Sequence, residues 1–496
     1  MANAMLVATL VKPPSQAGSD LSSLPESVEW LEVRADLAGD LDPQWLRNHF
    51  GGKLLYTLRS REEDGCFEGP GSERRERMLE AARHYDLVGL EGEGDLTTEM
   101  LAAVPPGKRL ISWQGAATDL SMLRSRFEKL STVEARFYKL VTKARQAGDE
   151  LIPLLFLKSL GRADTVAFTT GQTGFWNRIV AAHLGAPVIF GSVGRGRGAS
   201  GEPTISQLIE DYGLPSLIPF DKIYGIVGSP VFHSLSPRLH NAAYRALGHR
   251  ALFVPFHVDS FADFWREVVM GGKLEALGIS IRGLTVASPH KEVAIDLAGA
   301  STHMVRRAGA TNLFVRNNGH WKADTTDPEG VVLTILARGI QIERKKAAVI
   351  GCGGAGRAVA AALDQAGAEV TVVNRGLERG HQAVELLGLP FISLSEFSAE
   401  GFSIVVNATP VGRDDNCLPF KPEGLGEDAV VVDLVYGSAP TPLVSNALNL
   451  GRAVIDGREV LFVQVCRQFQ LMTGREMPTG LAREILGYRS ELVGSA

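Results

Sequence analysis

Two serines one residue apart, Ser234 and Ser236 in GIVGSPVFHSLSPRLHN (225–241), can turn their hydroxyls together onto a carboxylate. Downstream, Lys291 in GLTVASPHKE and Asp327 in ADTTDPEG supply a cation and a carboxylate, the pair that a proton transfer uses. By spacing alone the same residues also fit helix caps and surface charges. A third stretch, VIGCGGAGRAVAAAL (349–363), reads as strand, glycine turn and helix. Gly351 and Gly353 let backbone approach a pyrophosphate, with Gly354, Ala355 and Gly356 completing the turn. The helix that follows offers N–H groups and positive potential to the phosphates. A tight turn without a ligand uses the same glycines. The next strand, EVTVVNR, ends in Asn374 and Arg375, with Arg379 four residues on, where an NAD site places Asp or Glu. A guanidinium there pairs with a 2′-phosphate, so the pattern points to NADP, with a solvated basic loop as the alternative.

The elements that must hold these groups alternate throughout the chain. Candidate strands in the first 200 residues are LVATL (6–10), EWLEVRAD (29–36), LLYTLRS (54–60), LVGLEG (87–92), RLISWQG (109–115), FYKLVT (137–142), DTVAFTT (164–170) and PVIFGSV (187–193). Helix-compatible segments such as SERRERMLEAARHY separate them. Eight equal units predict a closed (β/α)8 TIM barrel, with an open doubly wound sheet as the rival. A Pro- and Gly-containing linker near 211–230 leads into a second α/β half. Its strands are KIYGIVG, ALFVPFHV, IRGLTVAS, KAAVI, EVTVVNR, FSIVVNATPVG, DAVVVDLVYG and AVIDG, and a helical run starts at Glu459. At 496 residues, 45% hydrophobic and 22% charged, the chain has the make-up of several globular domains. A net charge of −5 gives no general basic field, so no nucleic-acid partner is expected. Cys66, Cys352, Cys417 and Cys466 lie far apart without CxxC spacing, and no metal is implied. No apolar run reaches the ~18 residues of a membrane span, and MANAMLVATL enters a strand at once. A cytoplasmic protein is expected, with no membrane partner.

Many independent segments of the second half resemble the shikimate dehydrogenase family, in the family's order. Its opening GxPxxHSxSPxxHN matches Gly228 through Asn241, its PxK lysine Lys291, its GAxN asparagine Asn312 and its NTD aspartate Asp327. NATPVG (407–412), DLVYGSAPTPL (433–443) and GREVLFVQVCRQFQLMTG (457–474) match the remaining segments. The resemblance implies that Ser234 and Ser236 hold the substrate carboxylate, and that Lys291 and Asp327 are catalytic at the oxidised hydroxyl. Asn312 assists them, Tyr436 and Gln464 line the pocket, and Thr409 and Gly457 join the cofactor site. It also implies a substrate domain of 222–328 with 457–496 and a Rossmann NADP domain of 329–456.

The first half resembles type I 3-dehydroquinate dehydratase, so 1–215 would be that barrel. LEVRAD matches the ExR strand through Glu32 and Arg34, and TLRSREEDG matches TxRxxxEGG through Arg59 and Glu63. FYKLV places Lys139 at the Schiff-base lysine. GQTGFWNR puts Arg178 on the carboxylate-binding arginine, and GEPTI (201–205) resembles the closing GQPTI loop. The implied substrates are 3-dehydroquinate, 3-dehydroshikimate and shikimate, handled by a fused dehydratase–dehydrogenase. Three departures stand out. Gln114 occupies the place of the acid/base histidine, Glu202 that of a loop glutamine, and Thr285-Val286-Ala287 that of NVT. Gln114 cannot exchange a proton near neutrality. Two other readings therefore stand beside the bifunctional one: a dehydrogenase fused to an impaired barrel, or to a ligand-sensing one.

Overall fold

The computed structural model describes residues 2–194, 201–437 and 439–487. Residues 488–496 of the expected substrate domain, and Ser438 of the matched DLVYGSAPTPL segment, lie outside these. The chain divides into two compact units: Met1–Ile223 with Gly248–Ser280, and Tyr224–Leu247 with Ile281–Ala496. Gly248–Ser280, which falls within the expected substrate domain of 222–328, goes with the barrel in this division.

The first unit contains eight parallel strands: β1 Met5–Leu10, β2 Val28–Arg34, β3 Lys53–Thr57, β4 Leu87–Glu91, β5 Arg109–Ala116, β6 Phe137–Lys143, β7 Thr165–Thr170 and β8 Val188–Ser192. Each pairs with its sequence neighbour up to β7, and β1 pairs with β8. The barrel is closed except at the β7–β8 seam, where no ladder forms among the described residues. There the rings of Phe168 and Phe190 meet at 6.5 Å. All eight expected strands are present, within a few residues of the expected ends. The run EWLEVRAD stops at Arg34, and Ala35–Ala38 turns into a short helix.

A strand's period of two decides what faces the barrel axis. Val7, Trp30, Leu55, Leu87, Leu110, Phe137, Val166 and Val188, one from each strand, form a buried apolar layer. Such a side chain contributes about 1.5–3 kcal/mol when fully buried. Two residues further along six of these strands, the same face carries Thr9, Glu32, Thr57, Gly89, Ser112 and Lys139. The apolar layer is thus the floor on which a polar layer stands, toward the strands' C-terminal ends, where barrels of this kind place chemistry. Trp176 of the helix Phe175–His183 meets Phe256 of the strand Ala251–His257 at 5.1 Å, edge to face.

The second unit holds a mixed sheet in which Lys222–Gly228, Ser280–Val286, Leu313–Asn317, His320–Asp324 and Ala300–Ser301 lie in that order. The hairpin Leu313–Asp324 was not among the expected strands, although its turn has the needed chemistry. Asn318 and Gly319 have φ of 49° and 84°, as a tight hairpin requires. The unit's other sheet is wholly parallel, in the order Phe391–Ser393, Glu369–Asn374, Lys346–Ile350, Ile404–Asn407, Val430–Asp433, Ala453–Ile455. Val349, Val372, Val406 and Val432 pack on one face, and Ile350, Val373, Val405 and Val431 on the other. That explains the unbroken apolar runs, since both faces are covered. The strand order reverses at Lys346–Ile350, so a crevice opens beyond its end, at the glycine turn.

Candidate active sites

In the barrel, Lys139 is 4% exposed, and its Nζ lies 3.6 Å from Glu32 Oε1 and 3.7 Å from the centre of the Phe190 ring. Burial, with Arg59 and Arg34 nearby, outweighs Glu32 and lowers the amine to about 8. Burial alone would raise Glu32, but Lys139, Arg59, Arg34 and a hydrogen bond from Thr9 hold it at about 2. The Thr9 and Thr57 hydroxyls donate to its two oxygens, each at 2.9 Å. Neither threonine was singled out from the sequence; both are found by counting two residues along β1 and β3 from the apolar layer.

The other expected barrel residues surround this pair. Arg34 is clamped in bidentate fashion by Asp36, at 2.9 and 2.7 Å. Arg59 Nη1 donates to Gln114 Oε1 at 2.9 Å, and Gln114 Nε2 donates to Asp64 Oδ2 at 3.1 Å. Asp64, in a left-handed conformation with φ of 60°, also pairs with Lys143 at 2.5 Å. Glu63 is 6% exposed and accepts from Ser112 Oγ at 3.3 Å. Arg178 is 5% exposed, and its Nη1 donates to Glu202 Oε1 at 2.6 Å and to Phe190 O at 3.1 Å. The cation expected to receive a substrate carboxylate therefore already holds an internal one. Glu32, Arg59, Glu91, Ser112 and Lys139 line one enclosed cavity. Glu91, Ser112 and Asp64 were not anticipated. Glu91 and Ser112 lie at inward positions of β4 and β5.

In the second unit, Lys291 Nζ lies 2.6 Å from Asp327 Oδ2. Asp327 opens the helix Asp327–Ala337, and its Oδ1 accepts from Asn312 Nδ2 at 2.8 Å and Gln464 Nε2 at 3.0 Å. The carboxylate is 4% exposed and fully partnered, so its orientation is fixed. Asn312 is fixed in turn by Thr326, whose N–H donates to Asn312 Oδ1 at 2.8 Å, and Gln468 donates to Thr326 Oγ1 at 2.9 Å. The carbonyl of Lys291 accepts from Thr311 N at 2.8 Å. The Ser234 Oγ accepts from Ser236 N at 3.2 Å, and burial disfavours ionisation of the Tyr436 phenol. Thr285 donates to Gly225 O at 3.3 Å, so its hydroxyl is turned to backbone. Gln468 went unnoticed in the sequence because it touches Thr326 only across 142 residues of chain, and Thr326 because nothing local ties it to Asn312.

The glycine turn is shaped for a dinucleotide. A Cβ on Gly356 would lie 1.8 Å from Gly351 O, and one on Gly351 would meet Thr409 Cγ2 at 2.9 Å. Gly353, the N-cap of the helix Gly354–Gln365, has no side-chain cap, and a Cβ there would meet nothing within 4 Å. The turn is thus tightly backed and open where a pyrophosphate would lie, so these residues fit NADP. Asn374 Oδ1 accepts from Cys352 N at 3.2 Å and braces the turn. Arg375 and Arg379 are exposed just beyond it. Gly457, expected at the cofactor, lies against the Val435 carbonyl, 2.4 Å from where its Cβ would be. The turn also backs Lys291: a Cβ on Gly354 would be 3.0 Å from Lys291 Cβ. Arg357, 3% exposed, donates to Cys352 O at 2.9 Å, Ala308 O at 2.8 Å and Gly309 O at 3.1 Å, and lies 3.4 Å from Glu292.

Among the described residues, no group of three or more His, Cys, Asp or Glu could hold a metal ion, and no helix is long and apolar enough to cross a membrane. Residues 6–218 match the model of type I 3-dehydroquinase, and residues 226–314 that of the shikimate dehydrogenase substrate binding domain. The chain is 27% identical to a bifunctional 3-dehydroquinate dehydratase/shikimate dehydrogenase of Arabidopsis thaliana, over 92% of this chain and 79% of that protein. It is 36% identical to a shikimate dehydrogenase (NADP(+)) of Thermococcus kodakarensis, over 53% of this chain and 94% of that protein. Shikimate 5-dehydrogenase from Thermus thermophilus, solved with NADP(H) and shikimate, is 30% identical over 53% of this chain and 98% of that one, with a TM-score of 0.48. By these matches the chain belongs to the shikimate dehydrogenase family and carries a type I 3-dehydroquinase barrel ahead of it.

Proposed function

We propose that the chain performs two consecutive reactions: dehydration of 3-dehydroquinate to 3-dehydroshikimate through a Schiff base on Lys139, then NADPH-dependent reduction to shikimate. Residues 1–215 form the dehydratase, 222–328 with 457–496 the dehydrogenase's substrate domain, and 329–456 its NADP domain. The observation that carries the dehydratase half is the buried Lys139 amine beside Glu32, lowered to about 8. At pH 7 about one molecule in ten then has a neutral amine, against fewer than one in a thousand for an ordinary lysine. Glu32, anionic throughout, faces the nitrogen and stabilises the cation that forms on it. Arg178 receives the substrate carboxylate once Glu202 gives way.

In the second half, Ser234 and Ser236 hold the carboxylate of 3-dehydroshikimate, with Tyr436 and Gln464 lining the same pocket. The bound NADPH supplies the hydride. Lys291 donates the proton that the new alkoxide oxygen needs, and Asp327, held by Asn312 and Gln464, orients and recharges it. Arg375 and Arg379 bind the 2′-phosphate of the cofactor. The described cysteines are all unpaired, which suits the reducing cytoplasm where we place the protein. Borohydride reduction in the presence of 3-dehydroquinate, followed by peptide mapping, tests the first half. A reduced adduct on Lys139, lost in Lys139→Ala together with dehydration but not dehydrogenation, is expected. Dehydration without an adduct, or an adduct on another lysine, would sink the assignment.

A further inference from the structure

The carboxylates around the barrel mouth are almost all matched to cations. Glu32 faces Lys139 at 3.6 Å, Asp36 faces Arg34 at 2.7 Å, and Asp64 faces Lys143 at 2.5 Å. Arg74 serves both Glu91, at 3.2 Å, and Asp95, at 2.7 Å, and Glu202 has Arg178. Glu63 is different: among the described residues it makes no ion pair. Its Oε2 accepts only from Ser112 Oγ, while its Oε1 is buried with no hydrogen-bond partner. An unsatisfied buried carboxyl oxygen is costly and calls for an explanation. The position of Ser112 supplies one. It lies directly across the β5–β6 ladder from Lys139, on the same inner face of the barrel and lining the same cavity. Gln114 cannot be the group that moves protons here. It is an amide, and both its ends are engaged, by Arg59 and by Asp64.

We propose that Glu63 is the acid/base residue of the dehydratase half, taking the C2 proton of the Lys139-bound substrate and returning it to the departing C1 hydroxyl. This rests on the Schiff-base reading of Lys139. The steps balance without any further reagent. Lys139 Nζ bonds to C3 and the ketone oxygen leaves as water. The Glu63 carboxylate accepts the C2 proton, and the C–H electron pair forms C2=C3 as the C=N pair moves onto nitrogen. That pair returns, C1=C2 forms, the C1–O bond breaks, and the hydroxyl takes the proton from Glu63 and leaves as water. Hydrolysis of the remaining iminium releases the enone and frees Lys139, with Glu63 as it began.

The surroundings suit a group that must hold and release a proton near neutrality. Burial, then repulsion from Glu91, with a smaller push from Asp95, raise the carboxyl to about 8 against Arg59 and the Ser112 hydrogen bond. These groups come from every element around it: Arg59 from the end of β3, Glu91 and Asp95 from β4 and the turn after it, Ser112 from β5. Arg74, from the helix Gly71–His84, is spent on Glu91 and Asp95.

The test uses the full chain with Glu63→Gln, Glu63→Asp and the double variant Glu63→Gln/Gln114→His. For each we would measure dehydratase kcat against pH, borohydride trapping, and the dehydrogenase rate as a check on the folded chain. The kcat profile is read because Lys139 is already an iminium in that state. Glu63→Gln should lower kcat by about 10²–10⁴-fold while Lys139 is still trapped. Glu63→Asp should keep part of the rate, and carries the test should Glu63→Gln misfold. The double variant should regain at least about tenfold, with its rising limb moved toward the imidazole range. A Glu63→Gln kcat within about threefold of wild type, or a loss of trapping equal to the loss of rate, overturns the proposal. Wild-type dehydration without an adduct would instead bring down the Schiff-base reading, and this proposal with it.

Discussion

Glu202→Gln should improve the dehydratase. In the structure the Arg178 guanidinium is spent on Glu202 at 2.6 Å, with Arg178 nearly buried and the Glu202 side chain 24% exposed. An incoming substrate carboxylate must displace that partner or share the cation with it. A hydrogen bond to a charged group contributes about 1.5–3 kcal/mol net, which corresponds to about 10- to 150-fold in affinity. Glutamine keeps an amide oxygen for Arg178 and leaves the cation's charge unmatched, so the lower part of that range is the one to expect. The KM for 3-dehydroquinate should fall about tenfold with kcat within about threefold, read from the ultraviolet absorbance of the enone product. Calorimetric titration of substrate into Lys139→Ala, with and without Glu202→Gln, gives the affinity free of turnover. The gain should vanish in an Arg178→Ala background, since the coupling between the two residues is its source. An unchanged or higher KM in Glu202→Gln would refute the reasoning and make the pair a latch for the loop.

Arg375→Ala with Arg379→Ala should raise KM for NADP at least about tenfold while leaving that for NAD little changed, because two charge-assisted contacts to the 2′-phosphate are lost; an unchanged preference removes both residues from the cofactor site. Lys291→Ala should lower dehydrogenase kcat by about 10²–10⁴-fold with shikimate still bound, as measured by turnover and fluorescence titration, and Asp327→Asn should fall with it. Glu63→Gln should stabilise the first unit at alkaline pH. The folded carboxyl, raised from 4.5 to about 8, contributes stability below pH 4.5 that is lost as pH rises to about 8, and glutamine loses nothing over that window. Calorimetry at pH 4 and pH 9 should show the variant's advantage at pH 9 alone.

The barrel was legible because each strand is a short run of β-branched and aromatic residues between helical stretches, and its period of two fixed which side chains face the axis. Lys139 falls on the inner face by that count, yet nothing local separates it from a surface lysine. Its role came from resemblance, and its lowered amine from burial in the barrel and from Arg59 and Arg34, both more than 75 residues away in sequence. The glycine turn at 351–356 was readable because steric demands are local. Pairings such as Arg178 with Glu202, or the isolation of Glu63 once Arg74 is taken by Glu91 and Asp95, depend on which neighbour reaches a cation first. The Leu313–Asp324 hairpin was missed although its Asn318-Gly319 turn is a standard signal; the flanking strands are only five residues each. Thr285 illustrates a subtler gap: the sequence shows a branched side chain there, and only the fold shows its hydroxyl turned to Gly225.

Nucleotide-binding domains are often treated as cassettes that can be exchanged between relatives, and Gly354 and Arg357 make this one a poor cassette. The first turn of its helix lies against the stem of Lys291, and Arg357 is anchored to carbonyls at 308 and 309, upstream of any graft joined near 329. A chimera joined there would inherit a cofactor turn cut for another protein's lysine. An alanine at 354 would press on the Lys291 stem, and a missing arginine would take its guanidinium from the carbonyls of Ala308, Gly309 and Cys352. Recombination that keeps activity should therefore carry 291 and 308–310 along with 354 and 357, so the inheritable module is larger than the domain.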